Sequence, residues 1–210
     1  MDNVNNLIRL ASETKDKFAL LRELSKDVFH RYSTIDCFNI ARKLFADPEH
    51  HPRALAAYIL GHAAAKHKQS LEFMRNKVSV DKDWRVQEIL AQSFDNFCSI
   101  VGYEESLPII SDWLSDNNPN VRRVVTEGLR IWTSRPYFNE HPEIAVHLLS
   151  ALHADKSAYV RKSVGNALKD ISKKHKELVK AEISKWNLET ICVRQTYGFA
   201  AKHFKAGELK

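Results

Sequence analysis

The sequence predicts an all-α chain, an α-solenoid in which helix pairs stack into an α-α superhelix. Three observations carry this. One unit recurs: a loop with Asp, Asn or Pro, then Val-Arg or a near variant, then an apolar stripe at helical spacing. Its anchors, Pro52, Val86, Val121, Val160 and Val193, lie 34, 35, 39 and 33 residues apart, the period of a two-helix repeat. Apolar residues recur every three to four positions almost throughout, whereas alternation of period two is nearly absent. With 6 Gly and 6 Pro in 210 residues, the chain also lacks the turn content of a β-sandwich.

Each element follows in order. Residues 5–32 read as two short helices, with Leu7, Leu10 and Ala11 in the first and Phe18, Leu21, Leu24 and Val28 in the second. Residues 34–46 and 52–67 form the next pair, split by Asp47-Pro48. The pairs 70–77 and 84–99, 104–115 and 119–132, 141–153 and 158–174, and 176–186 and 190–204 complete the chain. Pro119, Pro136 and Pro142 sit at expected boundaries, where proline is tolerated in a first helical turn. The longest interruption, Thr133 to Glu140, is the expected functional loop. No shift in composition divides the chain, so residues 1–210 are expected to form a single repeat domain of about five to six helix pairs.

A formal net charge of +6 and a pI near 9.2 favour an anionic partner, nucleic acid first and an acidic membrane surface second. No apolar run approaches the ~20 residues of a membrane span, and the first residues lack a signal peptide's basic start. A cytoplasmic monomer with no membrane partner is the simplest expectation. Cys37, Cys98 and Cys192 are isolated, which suggests neither a disulfide framework nor a zinc site. His62 and His67 diverge by about 140° on one helix, so they form no ligand pair. No phosphate loop, nucleophile elbow or metalloprotease motif occurs, and no cofactor or metal is expected.

Counting from each anchor at 100° per residue, the positions +3, +4, +7 and +8 continue the apolar stripe. Positions +2, +6, +9, +10 and +13 point the other way, toward the concave wall of a solenoid. That wall collects Glu88, Gln92, Asp95 and Asn96, then Arg123, Glu127 and Arg130, then Lys162, Asn166, Lys169, Asp170 and Lys173, then Gln195, Phe199 and Lys202. Tyr58 and His62 are the first repeat's contribution, and Trp84, Trp132, Tyr137 and Phe138 lie nearby. Cations along such a wall suit a phosphate backbone, and arginine offers bidentate contact at Arg123 and Arg130.

Glu88, Glu127 and Asp170 occupy +2, +6 and +10 of successive repeats, at about 200°, 240° and 280°. Helices about 8–10 Å apart allow them to converge. Carboxylates in a basic groove stabilise a cationic glycosyl transition state or orient water. The ordinary alternative is local pairing, of Glu127 with Arg123 or Arg130 and of Asp170 with Lys173 or Lys174.

These motifs carry a resemblance. The run Asn118-Pro119-Asn120-Val121-Arg122-Arg123-Val124-Val125-Thr126-Glu127-Gly128-Leu129-Arg130 resembles HPNxHVRRxxSEGxRP of the AlkC branch of the HEAT-like DNA alkylation-repair glycosylases. Tyr159 to Lys173 resembles the family's YVRxSVxNxLxDIxK, and Trp84-Arg85-Val86-Gln87-Glu88 its WxVRE. The resemblance implies a metal-free, cofactor-free DNA glycosylase that excises cationic N-alkylated purines, such as 3-methyladenine and 7-methylguanine, from double-stranded DNA. It implies an acidic catalytic cluster of Glu88, Glu127 and Asp170. It implies DNA contacts from Arg123, Arg130, Arg161, Lys162, Lys169, Lys173 and Trp132, with Arg122 and Arg161 alternatively bridging helices. The family's RPRLPW loop is here Arg130-Ile131-Trp132-Thr133-Ser134-Arg135-Pro136-Tyr137, so Trp132 or Tyr137 would take the place of its tryptophan. The competing expectations are a non-catalytic HEAT-repeat DNA-binding module and a protein-interaction scaffold; the polar wall counts against the scaffold.

Overall fold

A computed structural model describes residues 2–15, 17–205 and 207–209. Every regular element among them is helical, as the periodicity predicts. The chain forms two compact units, Met1–Val101 and Gly102–Lys210.

The first unit contains α1 (Asp2–Ser12), α2 (Phe18–Arg31), α3 (Thr34–Phe45), α4 (His50–Ala63), α5 (Lys68–Asn76) and α6 (Trp84–Val101). Helix α4 packs against all the others in this unit. It is apolar nearly all round, and every residue from Pro52 to Gly61 is buried, as expected of a central helix. The expectation that Tyr58 and His62 line an open wall is therefore corrected. Tyr58 is 5% exposed and its hydroxyl donates to Gln92 Oε1 at 2.9 Å. His62 is half-buried between Ser25 (3.3 Å) and Asn96 (3.2 Å) and stacks on Phe29. Helix α2 covers this side. A Cβ on Gly61 would stand 2.7 Å from Ser93 Cβ, so glycine sets the close approach of α4 and α6.

The second unit contains α7 (Leu107–Leu114), α8 (Pro119–Gly128), α9 (Pro136–Glu140), α10 (Pro142–Ser150), α11 (Ala158–Ser172), α12 (Lys176–Ile183) and α13 (Ile191–Ala200). Helix α11 packs against α8, α10, α12 and α13. Its start and that of α8 bury the expected stripe: Val121, Val124, Val125 and Leu129 on α8 and its end, and Val160, Val164, Ala167 and Leu168 on α11. Asn118 caps α8 by accepting from the Asn120 N–H at 3.0 Å, with Pro119 in the first turn, where its missing N–H costs nothing. Cys37 and Cys98 are buried and Cys192 is half-buried.

The side chain after each anchor performs one task throughout. Arg53 donates to the carbonyls of Asp47 and Pro48, Arg122 to those of Asp116 and Asn117, Arg161 to those of Asp155 and Lys156, and Arg194 to those of Leu188 and Glu189. Gln87 replaces arginine and still donates to Asp81 O at 2.7 Å. Each thus ties the loop that enters its own helix, where backbone acceptors need partners. Three also reach forward to the next repeat: Arg53 to Asp81 at 2.7 Å, Arg122 to Asp155 at 2.6 Å, and Arg161 to Gln195 at 3.1 Å.

The expected loop at 133–140 is instead ordered helix. A 3-10 turn, Trp132–Ser134, leads into α9, and Trp132 and Phe138 are fully buried with ring centroids 5.0 Å apart. The helix expected over 119–132 stops at Gly128, and Ile131 takes the left-handed conformation, φ 55°.

Candidate functional site

Helices α8 and α11 lie side by side and each carries an acid in its last turn. Glu127 is the penultimate residue of α8, and Asp170 lies in the last turn of α11. A helix C-terminus disfavours negative charge and favours cations, so both carboxylates need basic partners. Arg130 supplies one to each: Nη1 lies 3.6 Å from Glu127 Oε2 and Nε 3.5 Å from Asp170 Oδ2. Lys173 Nζ lies 2.7 Å from Asp170 Oδ1, and Lys169 Nζ 4.0 Å from it. The Asp170 side chain is 8% exposed and that of Glu127 16%, whereas Arg130 is 44% and Lys173 58% exposed. The acids are thus roofed by cations that face solvent. Burial pushes the Asp170 carboxyl up, but the Lys173 hydrogen bond and the charges of Lys173, Lys169 and Arg130 outweigh it and hold it below the usual range. It is a carboxylate at neutral pH.

The structure therefore brings together Glu127, Asp170, Arg130, Lys169 and Lys173. Both local pairings expected as the ordinary alternative, Glu127 with Arg130 and Asp170 with Lys173, are present. Lys162 is exposed on α11 and Arg123 half-buried on α8. Glu88 is half-buried on α6, in the first unit.

Two expected DNA contacts are corrected. Arg161 is 7% exposed and spends its guanidinium on two backbone carbonyls and Gln195. It bridges helices. Trp132 is fully buried against Phe138 and presents no face to a ligand. Gln195, expected on the wall, is the partner of Arg161. The sequence reading missed the strain at Ile131. Its only signal there was an isoleucine directly after a helix-ending Gly-Leu-Arg, a place where left-handed backbone is common.

Among the described residues no group of three or more His, Cys, Asp or Glu side chains is gathered to hold a metal ion, and no helix is long and apolar enough to cross a membrane.

A helical-repeat protein whose cations roof paired carboxylates is the class that fold and site define. The model of the DNA alkylation repair enzymes matches residues 17–202, and the chain belongs to that family. It is similar to AlkD2 from Streptococcus mutans, with 41% identity over 98% of this chain and 99% of that one, and a TM-score of 0.93. AlkC from Pseudomonas fluorescens, whose structure is bound to DNA containing an abasic site analog, shares 24% identity, covering 94% of this chain and 62% of that one, with a TM-score of 0.59; this is a likeness of fold. The branch implied by the motifs is corrected accordingly: the chain stands nearer to the AlkD type than to AlkC. YhaZ of Bacillus subtilis (strain 168) is 35% identical over 91 residues, which cover 41% of this chain and 26% of YhaZ, so the match spans about a quarter of that relative's length.

Proposed function

We propose that the protein is a DNA glycosylase that releases cationic N-alkylated purines of the 3-methyladenine or 7-methylguanine type from duplex DNA. The observation that carries this reading is Arg130 spanning Glu127 and Asp170 beneath an exposed cationic surface. When DNA binds, a phosphate draws Arg130, Lys169 and Lys173 outward and leaves the two carboxylates facing the sugar. The N-glycosyl bond breaks with its electron pair on the base, which leaves neutral. Positive charge develops at C1′, where water then adds and loses a proton. A carboxylate about 4 Å from that charge contributes about 4 kcal/mol of attraction at an effective dielectric near 20. The second orients the water. Arg123 and Lys162 hold neighbouring phosphates.

One observation favours the second reading, a DNA-binding module without catalysis: Trp132 is buried, so of the two aromatics that could take the place of the family's tryptophan only the half-buried Tyr137 is left. Purified protein incubated with methylated genomic DNA, followed by mass analysis of freed bases, separates the two. The glycosylase reading expects released methylpurine, lost in Glu127→Gln with DNA binding kept or tightened. Salt-sensitive binding without any released base selects the module.

A further inference from the structure

Ile131 is unfavourable on two counts at once. Its backbone is left-handed, φ 55° and ψ 53°, a region that β-branched residues enter only under constraint. Its side chain is 51% exposed, so burial does not repay the strain. The turn is held from both sides. Leu129 and Trp132 are fully buried, and the Ser134 N–H donates to Ile131 O at 2.8 Å. Asparagine or glycine would fill this position at lower cost. Neither folding nor solubility rewards a branched apolar side chain here, so its use lies outside the isolated chain.

The surroundings indicate the partner. Ile131 directly follows Arg130, and Arg130, Lys173 and the half-buried Lys169 form the cationic roof described above. An apolar side chain fixed beside a phosphate-binding cluster meets base and sugar edges where a duplex is partly unstacked. We propose that Ile131 is a wedge: it packs against an opened base step of duplex DNA while the adjacent cations grip the backbone. The inference rests on the DNA-binding reading above and adds a preference for duplexes with a weakened step.

The test uses the full chain and two labelled duplexes of one sequence, fully paired or carrying a single abasic site. The wild type is expected to prefer the abasic duplex. Ile131→Asn, which suits left-handed backbone, is expected to lose about five- to tenfold of that preference, with its thermal unfolding midpoint unchanged or higher. Ile131→Val keeps both branch and strain and is expected to keep the preference. An asparagine variant that retains the wild-type preference overturns the wedge, as does a wild type that binds both duplexes equally; the DNA-binding reading survives either result. A wild type that binds neither duplex overturns both.

Discussion

Replacing Arg122 by Met tests whether the arginine after each anchor is the spine of the repeats. Arg122 contacts Asp155 through Nε at 2.6 Å and Nη2 at 2.8 Å, and two carbonyls through Nη1 at 2.6 and 3.1 Å. The two side chains are 12% and 5% exposed, so solvent replaces little of what is lost. Removing one partner of such a pair leaves a buried charge and costs about 3–5 kcal/mol. In a chain of this length each kcal/mol moves the midpoint by about 2–4 °C, so a fall of about 6–20 °C follows. Arg194 is the internal control. It donates to two loop carbonyls and is itself exposed, so Arg194→Met should cost about 1 kcal/mol. Urea unfolding followed by tryptophan fluorescence reads the second unit through Trp113, Trp132 and Trp186, all buried. Asp155→Asn placed in the Arg122→Met background removes the stranded charge and should recover part of the loss. If Arg122→Met costs no more than Arg194→Met, the bidentate pair is not what binds consecutive repeats.

Two further outcomes concern stability. Gly165→Ala places a Cβ against Phe199 Cβ and 2.7 Å from the Thr196 carbonyl, and should cost about 1–3 kcal/mol. Gly198, with nothing within 4 Å of its notional Cβ, should accept alanine with a gain of up to about 1 kcal/mol; equal effects in calorimetry would refute the packing argument. Asp83 is held at about 2, chiefly by its hydrogen bond to Arg85 against the opposing effect of burial. Its folded value lies below its unfolded one, so its contribution is complete above the unfolded value of about 3.8 and is lost as pH falls through about 2. Asp83→Asn should therefore lower the urea midpoint near neutrality by an amount that shrinks toward zero in strong acid. A constant difference across that range would remove Asp83 as the source.

The fold was legible because the repeat writes its period twice, once in the apolar stripe and once in the loop that precedes it. Val121 and Val160 are anchors in the structure as in the sequence. The site was legible where one helix pair suffices: Glu127, Arg130, Asp170 and Lys173 meet because +6, +9, +10 and +13 fall together at the ends of α8 and α11. Three failures have one cause. A helical wheel gives the direction of a side chain but not what covers it. Tyr58 points as expected, yet α2 lies over it. Trp132 was extrapolated beyond the end of its helix, and the left-handed Ile131 turned it inward onto Phe138. Gln195 was read as wall for the same reason, because its partner Arg161 reaches it from the repeat before.

On the DNA-binding reading, the arginine spine also divides the cations of this chain between scaffold and ligand. Net charge suggests a general attraction, but Arg53, Arg122 and Arg161 are committed to carbonyls and to side chains of the next repeat, and Arg194 to carbonyls. The cations that this reading assigns to phosphate are Arg123, Arg130, Lys162, Lys169 and Lys173. Each phosphate neutralised on duplex DNA contributes about 0.9 to the slope of log K against log salt, so these five supply at most about 4.5. On the glycosylase reading, Arg130 and Lys173 turn from Glu127 and Asp170 to phosphate, so that binding and the uncovering of the acids are one event. Fluorescence anisotropy over a salt series should show Lys162→Ala lowering the slope by about 0.9 and Arg194→Gln leaving it unchanged. A fall in slope in Arg194→Gln as large as in Lys162→Ala would mean that the spine arginines contact DNA, and the division of cations between scaffold and ligand would be wrong.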